Sequence, residues 1–335
     1  MRLKTLQNLG IFRMSILITG VAGFIGCNLA KRLMNEGHIV VGVDNLSRGT
    51  LRNLSEVKNA ANFHFIETDC ADRPRFLAET ATFHERFPIT EVWHLAANSD
   101  IPAGVSDATV DLKDTFMTTF NVLEVMKALD IKVLAFASSS AVYGDHGDRS
   151  ISEVSGPLLP LSNYGAMKLA SEASISAAAE SFLNKAFIYR FPNVIGVPAT
   201  HGVLLDFVNK LKANPSRLDV LGDGTQQKAY LHVDDLIEGM LEIQSNASEK
   251  LAVYNLGAED EGVSVRNIAE AVVASVSPNA DIVYGVEKRG WVGDVPKFQY
   301  CLDKLKKLGW TPKLDSKAAI KRAIADIVEQ EITLK

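Results

Sequence analysis

The chain contains few cysteines and no metal-binding pattern. Its 335 residues include three cysteines, Cys27, Cys70 and Cys301, and none lies in a Cys-x-x-Cys or Cys/His spacing. Three thiols cannot all pair with one another, and their spacing predicts no metal site. We therefore expect a cytoplasmic protein in a reducing compartment, without a metal centre.

Long apolar runs are absent as well. No stretch reaches about 18 consecutive apolar residues, the length that indicates a membrane-spanning helix. Residues 1–13 lack the apolar core, about 7–15 residues long, of a secretory signal. The first predicted strand begins directly after Met14. The sequence predicts a soluble protein with no membrane partner, in which residues 1–13 are a short N-terminal extension.

Neither sign of charge dominates. The 35 Lys and Arg residues and the 40 Asp and Glu residues give a formal net charge of −5, and no basic stripe interrupts the mixed pattern. This argues against a nucleic-acid partner. Hydrophobic residues make up 47% of the chain, which is long enough for one large α/β domain with a lobe, or for two domains.

Short β-branched runs alternate with longer helical patterns through the first half of the chain. They predict strands over residues 15–19, 38–43, 63–67, 91–95, 132–137 and 186–191. Helices are predicted between them, over residues 24–36, 107–129 and 162–183. This alternation predicts an α/β fold with a doubly wound parallel sheet of the Rossmann type.

The regular alternation ends after Arg190, where prolines and the turn Gly222-Asp223-Gly224 mark irregular connections. A smaller C-terminal lobe is therefore predicted. We assign residues 14–191 to the first domain, with residues 233–256 returning to it. The predicted lobe consists of residues 192–232 and 257–335.

A glycine-rich run, Gly20-Val21-Ala22-Gly23-Phe24-Ile25-Gly26, follows the first strand and opens the first helix. This is the context of a dinucleotide-binding fingerprint. Gly20 permits a tight turn, Gly23 lets the backbone approach a pyrophosphate, and Gly26 lets helix and strand pack closely. We predict that Gly20, Gly23, Phe24, Ile25 and Gly26 bind a dinucleotide cofactor.

An acidic residue, Asp44, ends the second predicted strand, 24 residues after Gly20. A carboxylate there can accept hydrogen bonds from the adenosine ribose and repel a 2′-phosphate. Its presence favours NAD over NADP, while Arg48 nearby weakens that preference. The first domain is therefore predicted to bind NAD.

Further cofactor contacts are predicted where the next strands end. Asp69 follows the third strand, where a side chain can reach the adenine edge. The run His94-Leu95-Ala96-Ala97 ends the fourth strand with small residues that let the backbone lie against a cofactor, and His94 itself is predicted to be a packed core histidine. The predicted contacts from these strand ends are Asn45, Asp69, Cys70, Leu95, Ala96 and Ala97.

Tyr164 and Lys168 are four residues apart on a predicted helix, so they share one face. A free tyrosine hydroxyl, with a pKa of about 10, is a poor base, but an ammonium a few ångströms away favours the phenolate. The serines of the run Ser138-Ser139-Ser140 follow the fifth strand, at the sheet edge where ligands bind. The pattern predicts general acid–base chemistry beside the cofactor.

Together these motifs resemble the extended short-chain dehydrogenase/reductase family over residues 16–312, and within it the NAD-dependent nucleotide-sugar epimerases and dehydratases, the UDP-glucose 4-epimerase group above all. The resemblance implies that Ser139 binds substrate, that Tyr164 is the catalytic base, and that Lys168 binds the nicotinamide ribose and lowers the tyrosine pKa. It also implies a homodimer formed through the helices predicted over residues 107–129 and 162–183.

Three later segments resemble the substrate-binding motifs of that family. Asn193 occupies the Asn of Arg-x-x-Asn-x-x-Gly, which contacts the substrate diphosphate, and Lys228 replaces an Arg of a Gly-Asp-Gly-x-Gln-x-Arg segment. Lysine keeps the charge but lacks the bidentate fork of arginine. Arg289 belongs to a segment that resembles an Arg-containing Gly-Asp-x-Pro motif. The resemblance favours a UDP-sugar and assigns it the contacts Ser139, Ser140, Asn193, Lys228 and Arg289.

The family's 4,6-dehydratases carry Thr-Asp-Glu where this chain has Ser139-Ser140-Ala141. Without that Asp and Glu, the elimination of water lacks its acid and base. We therefore predict an NAD-dependent epimerase that inverts C4 of a UDP-hexose through a transient 4-keto intermediate. The alternatives are a nucleotide-sugar 4,6-dehydratase, an NAD(P)H-dependent carbonyl reductase and a non-catalytic NAD-binding module.

Overall fold

The computed structural model describes residues 14–147, 149–286 and 299–333. Its centre is a seven-stranded sheet in the order β11-β6-β5-β4-β1-β2-β3, in which every neighbouring pair is parallel. The strands of the described residues are β1 Ser15–Thr19, β2 Ile39–Asp44, β3 Phe63–Glu67, β4 Ile89–His94, β5 Val133–Ser139, β6 Lys185–Phe191, β7 Asn193–Ile195, β8 Arg217–Val220, β9 Gln227–Lys228, β10 Tyr230–His232, β11 Leu251–Asn255, β12 Val263–Ser264 and β13 Asp281–Tyr284.

The strand order confirms the predicted doubly wound sheet. The chain moves outward from β1 to β3, returns to β4 beside β1, and then continues to the other edge. In open sheets of this kind, ligands bind at the carboxyl ends of the strands where the order reverses. The binding crevice is therefore expected at the carboxyl ends of the neighbouring strands β1 and β4.

Helices cover both faces of the sheet, so its strands are buried on both sides. All five residues of β1 are buried. The α-helices of the described residues are α1 Phe24–Asn35, α2 Arg73–Arg86, α3 Ile101–Ser106, α4 Ala108–Asp111, α5 Thr118–Ala128, α6 Asn163–Ser181, α7 Val203–Ala213, α8 Val233–Asn246, α9 Val265–Val276, α10 Asp303–Lys306 and α11 Ser316–Thr333. None of these is both long and apolar enough to cross a bilayer.

The helix predicted over residues 107–129 is present over residues 108–128, but it is not a regular α-helix throughout. A π-helical segment, Leu112–Met117, separates α4 from α5. The hydroxyls of Thr118 and Thr119 both donate to the carbonyl oxygen of Thr115, at 2.9 and 3.0 Å. Such hydroxyl-to-carbonyl bonds compete with the regular backbone ladder and bend helices.

A separate core lies beyond the sheet. It packs α7, α9 and α11 against β8 and includes the buried residues Phe207, Leu218, Val272 and Ile324. A short parallel pair, β8 with β13, borders this core. These elements form the lobe that faces the carboxyl ends of the sheet strands, while the exact division of the chain at residue 191 stays a prediction.

Candidate active site

A cavity of about 910 Å³ lies where the carboxyl ends of the sheet strands face the lobe. Its walls come from the turn after β1, the ends of β2 to β5, the start of α6 and the segments around β7 and β9. Arg289 lies outside the described residues. The other predicted site residues all line the cavity: Gly20, Gly23, Phe24, Ile25, Gly26, Asp44, Asn45, Asp69, Cys70, Leu95, Ala96, Ala97, Ser139, Ser140, Tyr164, Lys168, Asn193 and Lys228.

The glycine turn brings backbone amides to one end of this cavity. Gly20 has a φ of +72°, and a Cβ on it would lie 2.8 Å from the Ala96 nitrogen. A Cβ on Gly26 would lie 2.1 Å from the Gly20 carbonyl oxygen. Helix α1 begins after Gly23 with no side-chain cap, so its first amides are available to an anion. The turn therefore fits the pyrophosphate of a dinucleotide.

Asp44 ends β2 beside the turn. One of its carboxylate oxygens accepts from the Ala22 amide at 2.9 Å and the other from the Leu46 amide at 2.8 Å. Burial raises the pKa of this carboxyl. Each carboxylate oxygen can accept a second hydrogen bond, so the group can hold the turn and still receive ribose hydroxyls.

Arg48, which the sequence placed near the ribose site, is engaged elsewhere. Its guanidinium lies 3.1 Å from the carboxylate of Asp100, a residue of the loop after β4, and both side chains line the cavity. This ion pair offsets part of the Arg48 charge that would otherwise favour a 2′-phosphate. The arrangement is consistent with NAD rather than NADP.

The ends of β3 and β4 supply further surface. Asp69 accepts from the Ala71 amide at 2.8 Å and lies 3.4 Å from the ammonium of Lys113. At the end of β4, the Ala96 amide donates to the Thr19 hydroxyl at 3.3 Å. This bond ties the two strands together at the point where the sheet order reverses.

His94 is a packed core histidine, as predicted. Its side chain is fully buried, with Nδ1 2.7 Å from the Thr19 hydroxyl and Nε2 3.0 Å from the Thr119 hydroxyl. Burial lowers the pKa of His94 to about 3. The imidazole is therefore neutral at physiological pH and does not line the cavity.

Ser139, Tyr164 and Lys168 lie close together in the wall of the cavity. Ser139 is the last residue of β5, which runs two residues further than predicted. Tyr164 lies in the first turn of α6, where Ser162 caps the helix by accepting from the Gly165 amide at 3.1 Å. The Lys168 ammonium lies 5.8 Å from the centre of the Tyr164 ring. Serine, tyrosine and lysine thus converge as expected.

The pKa of Tyr164 differs from the expectation. Burial raises it to about 12, a hydrogen bond with Ser139 opposes this rise, and the charge of Asp111 adds to it. Burial also lowers the pKa of Lys168 to about 7, against the opposing charges of Glu172 and Asp111. Desolvation thus weakens the cation that was expected to favour the phenolate, and the chain by itself does not lower the tyrosine pKa.

The lobe contributes the opposite wall of the cavity. Asn193 is the first residue of β7, and Lys228 ends β9, which pairs with β12. Ser140 opens a short 3₁₀ turn after Ser139. The lobe therefore contributes the Asn193 amide and the Lys228 ammonium to the cavity lining, and the turn after β5 contributes the Ser140 hydroxyl.

Several cavity residues were not predicted from the sequence. They lie between the end of β4 and the start of α3, and from the loop before α7 into α7 itself. Asn98 directly follows the small-residue run at the end of β4, which could have indicated it. The others carry no local signal, because separate segments of the chain bring them to the cavity. They include Asp100, Ile101, His201, Val203 and Lys210.

Comparison with known proteins agrees with this geometry. The UDP-glucose 4-epimerase of Mycolicibacterium smegmatis is 28% identical over 322 residues, which cover 94% of this chain and 98% of that protein. A crystal structure of a UDP-galactose 4-epimerase is 32% identical, with a TM-score of 0.81, and the match covers 95% of this chain and 99% of that one. The crystal structure of Thermotoga maritima UDP-glucose 4-epimerase with UDP-glucose is 26% identical, with a TM-score of 0.83, over 96% of this chain and 100% of that one.

A family model gives the same result. Residues 16–257 match the model of the NAD dependent epimerase/dehydratase family. The matched region is more than half of the chain, and it contains both the cofactor turn after β1 and the helix that carries Tyr164 and Lys168. This protein therefore belongs to the NAD dependent epimerase/dehydratase family, and its cofactor is NAD.

Proposed function

We propose that this protein is an NAD-dependent nucleotide-sugar epimerase that inverts C4 of a UDP-hexose through a transient 4-keto intermediate. The observation that carries the proposal is that one cavity joins the cofactor turn and Tyr164 to Asn193 and Lys228 of the lobe. Cofactor and sugar can therefore lie side by side in one cavity. The relatives named UDP-glucose or UDP-galactose 4-epimerase support this substrate class.

The cofactor would lie along the sheet edge. The first amides of α1 would hold its pyrophosphate, Asp44 its adenosine ribose and Asp69 its adenine edge, while Lys168 would bind the nicotinamide ribose. When bound, NAD supplies a hydride acceptor that can return the hydride to the sugar. All these groups line the same cavity.

The hydroxyls of Ser139 and Tyr164 would hold one sugar oxygen between them. Tyr164 would take the proton from that oxygen as the keto sugar forms, and would return it when the sugar is reduced on its opposite face. In the chain alone the pKa of Tyr164 is about 12, so its hydroxyl is protonated at neutral pH, and its action as a base requires the bound cofactor and substrate to lower that pKa. A charged Lys168 would favour the phenolate, against the desolvation that dominates in the chain alone.

The residues after Ser139 favour epimerisation over dehydration. Ser140 and Ala141 both line the cavity, and they occupy the positions where the resembling dehydratases carry Asp and Glu. A hydroxyl and a methyl group cannot supply the acid and base for loss of water. On the lobe side, Lys228 would contact the diphosphate as a point charge, together with Asn193.

We further propose a homodimer formed through α5 and α6, together with the π-helical segment before α5. Leu112 and Phe120 are 46% and 40% exposed in this region, and apolar side chains of this size are frequent at protein interfaces. The proposed location is the cytoplasm, in agreement with the free thiols of Cys27, Cys70 and Cys301. Sedimentation velocity would test the dimer.

The function is tested by incubating the purified protein with UDP-, GDP-, CDP- and dTDP-sugars and following the products by proton NMR. We expect inversion at C4 of a UDP-hexose with no net formation of NADH. Formation of a 6-deoxy-4-keto sugar would identify a dehydratase, and stoichiometric cofactor consumption with a small carbonyl would identify a reductase. Bound NAD without any turnover would indicate a non-catalytic module.

A further inference from the structure

Glu172 and Arg190 form a buried ion pair below the cavity. Arg190 Nη2 lies 2.6 Å from Glu172 Oε2 and Arg190 Nε lies 2.9 Å from Oε1, and both side chains are 7% exposed. Two parallel hydrogen bonds between a guanidinium and a carboxylate fix the relative orientation of the two groups as well as their distance. Because desolvation offsets most of the attraction between buried charges, stability alone does not account for the pair.

Glu172 and Lys168 dock helix α6 onto consecutive residues of β5. They are four residues apart and lie on one face of the helix. The Lys168 ammonium donates to the Ala137 carbonyl at 2.7 Å, and the Ser138 hydroxyl donates to Glu172 Oε1 at 2.5 Å. These two contacts hold β5 at the residues that immediately precede Ser139.

Arg190 holds the segment that follows β5. It lies opposite Ser138 in the β5–β6 register. Its Nη1 donates to the Tyr143 hydroxyl at 2.9 Å and to the Glu153 carbonyl at 3.2 Å, and the Tyr143 hydroxyl donates to the Asn255 side chain at 2.7 Å. The pair therefore fixes the chain both before and after the end of β5.

We propose that Glu172 and Arg190 are positioning residues, which hold the end of β5 against α6 so that Ser139 faces Tyr164. The carboxylate of Glu172, four residues from Lys168 on the same face of α6, also keeps the Lys168 side chain charged. This inference rests on the proposed function of Ser139, Tyr164 and Lys168. It assigns the pair no direct contact with substrate or cofactor, because neither side chain lines the cavity.

The charged groups around Lys168 come from several elements. Burial lowers the pKa of Lys168 to about 7, while Glu172 on α6 and Asp111 at the end of α4 raise it. Arg190 on β6 partly balances Glu172, and His94 at the end of β4 stays neutral because its pKa is lowered. Loss of the Glu172 charge therefore lowers the pKa of Lys168, and the ammonium is lost at a lower pH.

Two variants separate charge from geometry. Glu172→Gln removes the charge, and we expect kcat to fall on the order of 100-fold with little change in KM, while the alkaline limb of the kcat profile moves to lower pH. Ser138→Ala removes only the hydrogen bond to Glu172, so kcat should fall roughly 10-fold with that limb unmoved. Glu36→Gln is the matched control, because Glu36 pairs with Arg32 on the exposed surface of α1.

The charge of Lys168 can also be followed without any substrate. A ¹³C NMR titration of the lysine Cε groups, assigned with Lys168→Met, reports the Lys168 pKa directly. We expect a lower value in Glu172→Gln and an unchanged value in Ser138→Ala. A role limited to stability would leave the kcat of both folded variants unchanged.

A third variant shows whether a fall in kcat reflects loss of the fold. Glu172→Gln leaves the Arg190 guanidinium buried without a counter-charge, which is destabilising. The double variant Glu172→Gln with Arg190→Met removes both charges, and we expect it to melt close to the wild type by circular dichroism without recovering kcat. Recovery of full kcat in the folded double variant would overturn the proposal.

The remaining outcomes distinguish this inference from the proposed function. Wild-type protein that epimerises no nucleotide sugar would overturn the proposed function, while the Lys168 titration would still decide the inference. Folded Glu172→Gln and Ser138→Ala proteins with wild-type kcat would overturn the inference alone. An unchanged Lys168 pKa in folded Glu172→Gln would also overturn the inference.

Discussion

Replacing Gly26 with alanine tests the close packing of α1 on the cofactor turn. The added Cβ would lie 2.1 Å from the carbonyl oxygen of Gly20 and 2.8 Å from Cα of Val21. Both are backbone atoms, so no side-chain rotation can relieve the contact. Because real Cβ atoms are essentially never closer than 3.0 Å, helix and turn have to separate by about 0.9 Å in this tightly packed region.

The cost of this separation can be worked out from two opposing effects. Overpacking against fixed backbone costs about 3 kcal/mol, and alanine recovers about 1 kcal/mol of helix propensity. The net loss of about 2 kcal/mol in the free energy of unfolding corresponds to a fall in Tm of about 3 °C for a chain of this length. Displacement of the amides at the start of α1 should also weaken NAD binding about 10-fold, or 1.4 kcal/mol.

Thermal unfolding followed by circular dichroism and titration with NAD would measure both effects. Gly156→Ala is the control, because a Cβ on Gly156 would meet no atom closer than 4.0 Å. If Gly26→Ala melted with the control and bound NAD as tightly as the wild type, the packing argument for this turn would be wrong.

Three further predictions concern the cavity. Tyr164→Phe should lower kcat by about 10²–10⁴-fold without loss of NAD binding; an active variant in the NMR assay would refute its role as base. Asp44→Ala leaves the Ala22 and Leu46 amides without their acceptor and should reduce the ratio of NAD to NADP affinity about 10-fold. An unchanged ratio in a fluorescence titration would contradict the assignment of Asp44 to the adenosine ribose. Lys228→Arg introduces a bidentate fork and should lower KM for the UDP-sugar several-fold; a higher KM would argue against a diphosphate contact.

Local features of the fold could be predicted because they depend on neighbours in the sequence. The first strand occupies Ser15–Thr19 as predicted, since its apolar run and the following glycine turn are adjacent. The helix over residues 107–129 was predicted, but its π-helical segment was not, because hydroxyl-to-carbonyl bonds such as those of Thr118 and Thr119 leave no clear mark on the hydrophobic pattern. The end of β5 was also not predicted, because pairing with the distant strand β6 extends it to Ser139.

For the candidate site, the sequence by itself determined the chemical groups and their spacing: the glycine turn, Asp44 after the second strand, and Tyr164 four residues before Lys168. Only the tertiary structure decided how those groups are charged and held. Burial raises the pKa of Tyr164 and lowers that of Lys168, so both shifts favour the neutral side chain. Glu172 pairs with Arg190, which lies 18 residues further along the chain. Desolvation and such pairings depend on which distant segments pack together, and that is a property of the folded chain.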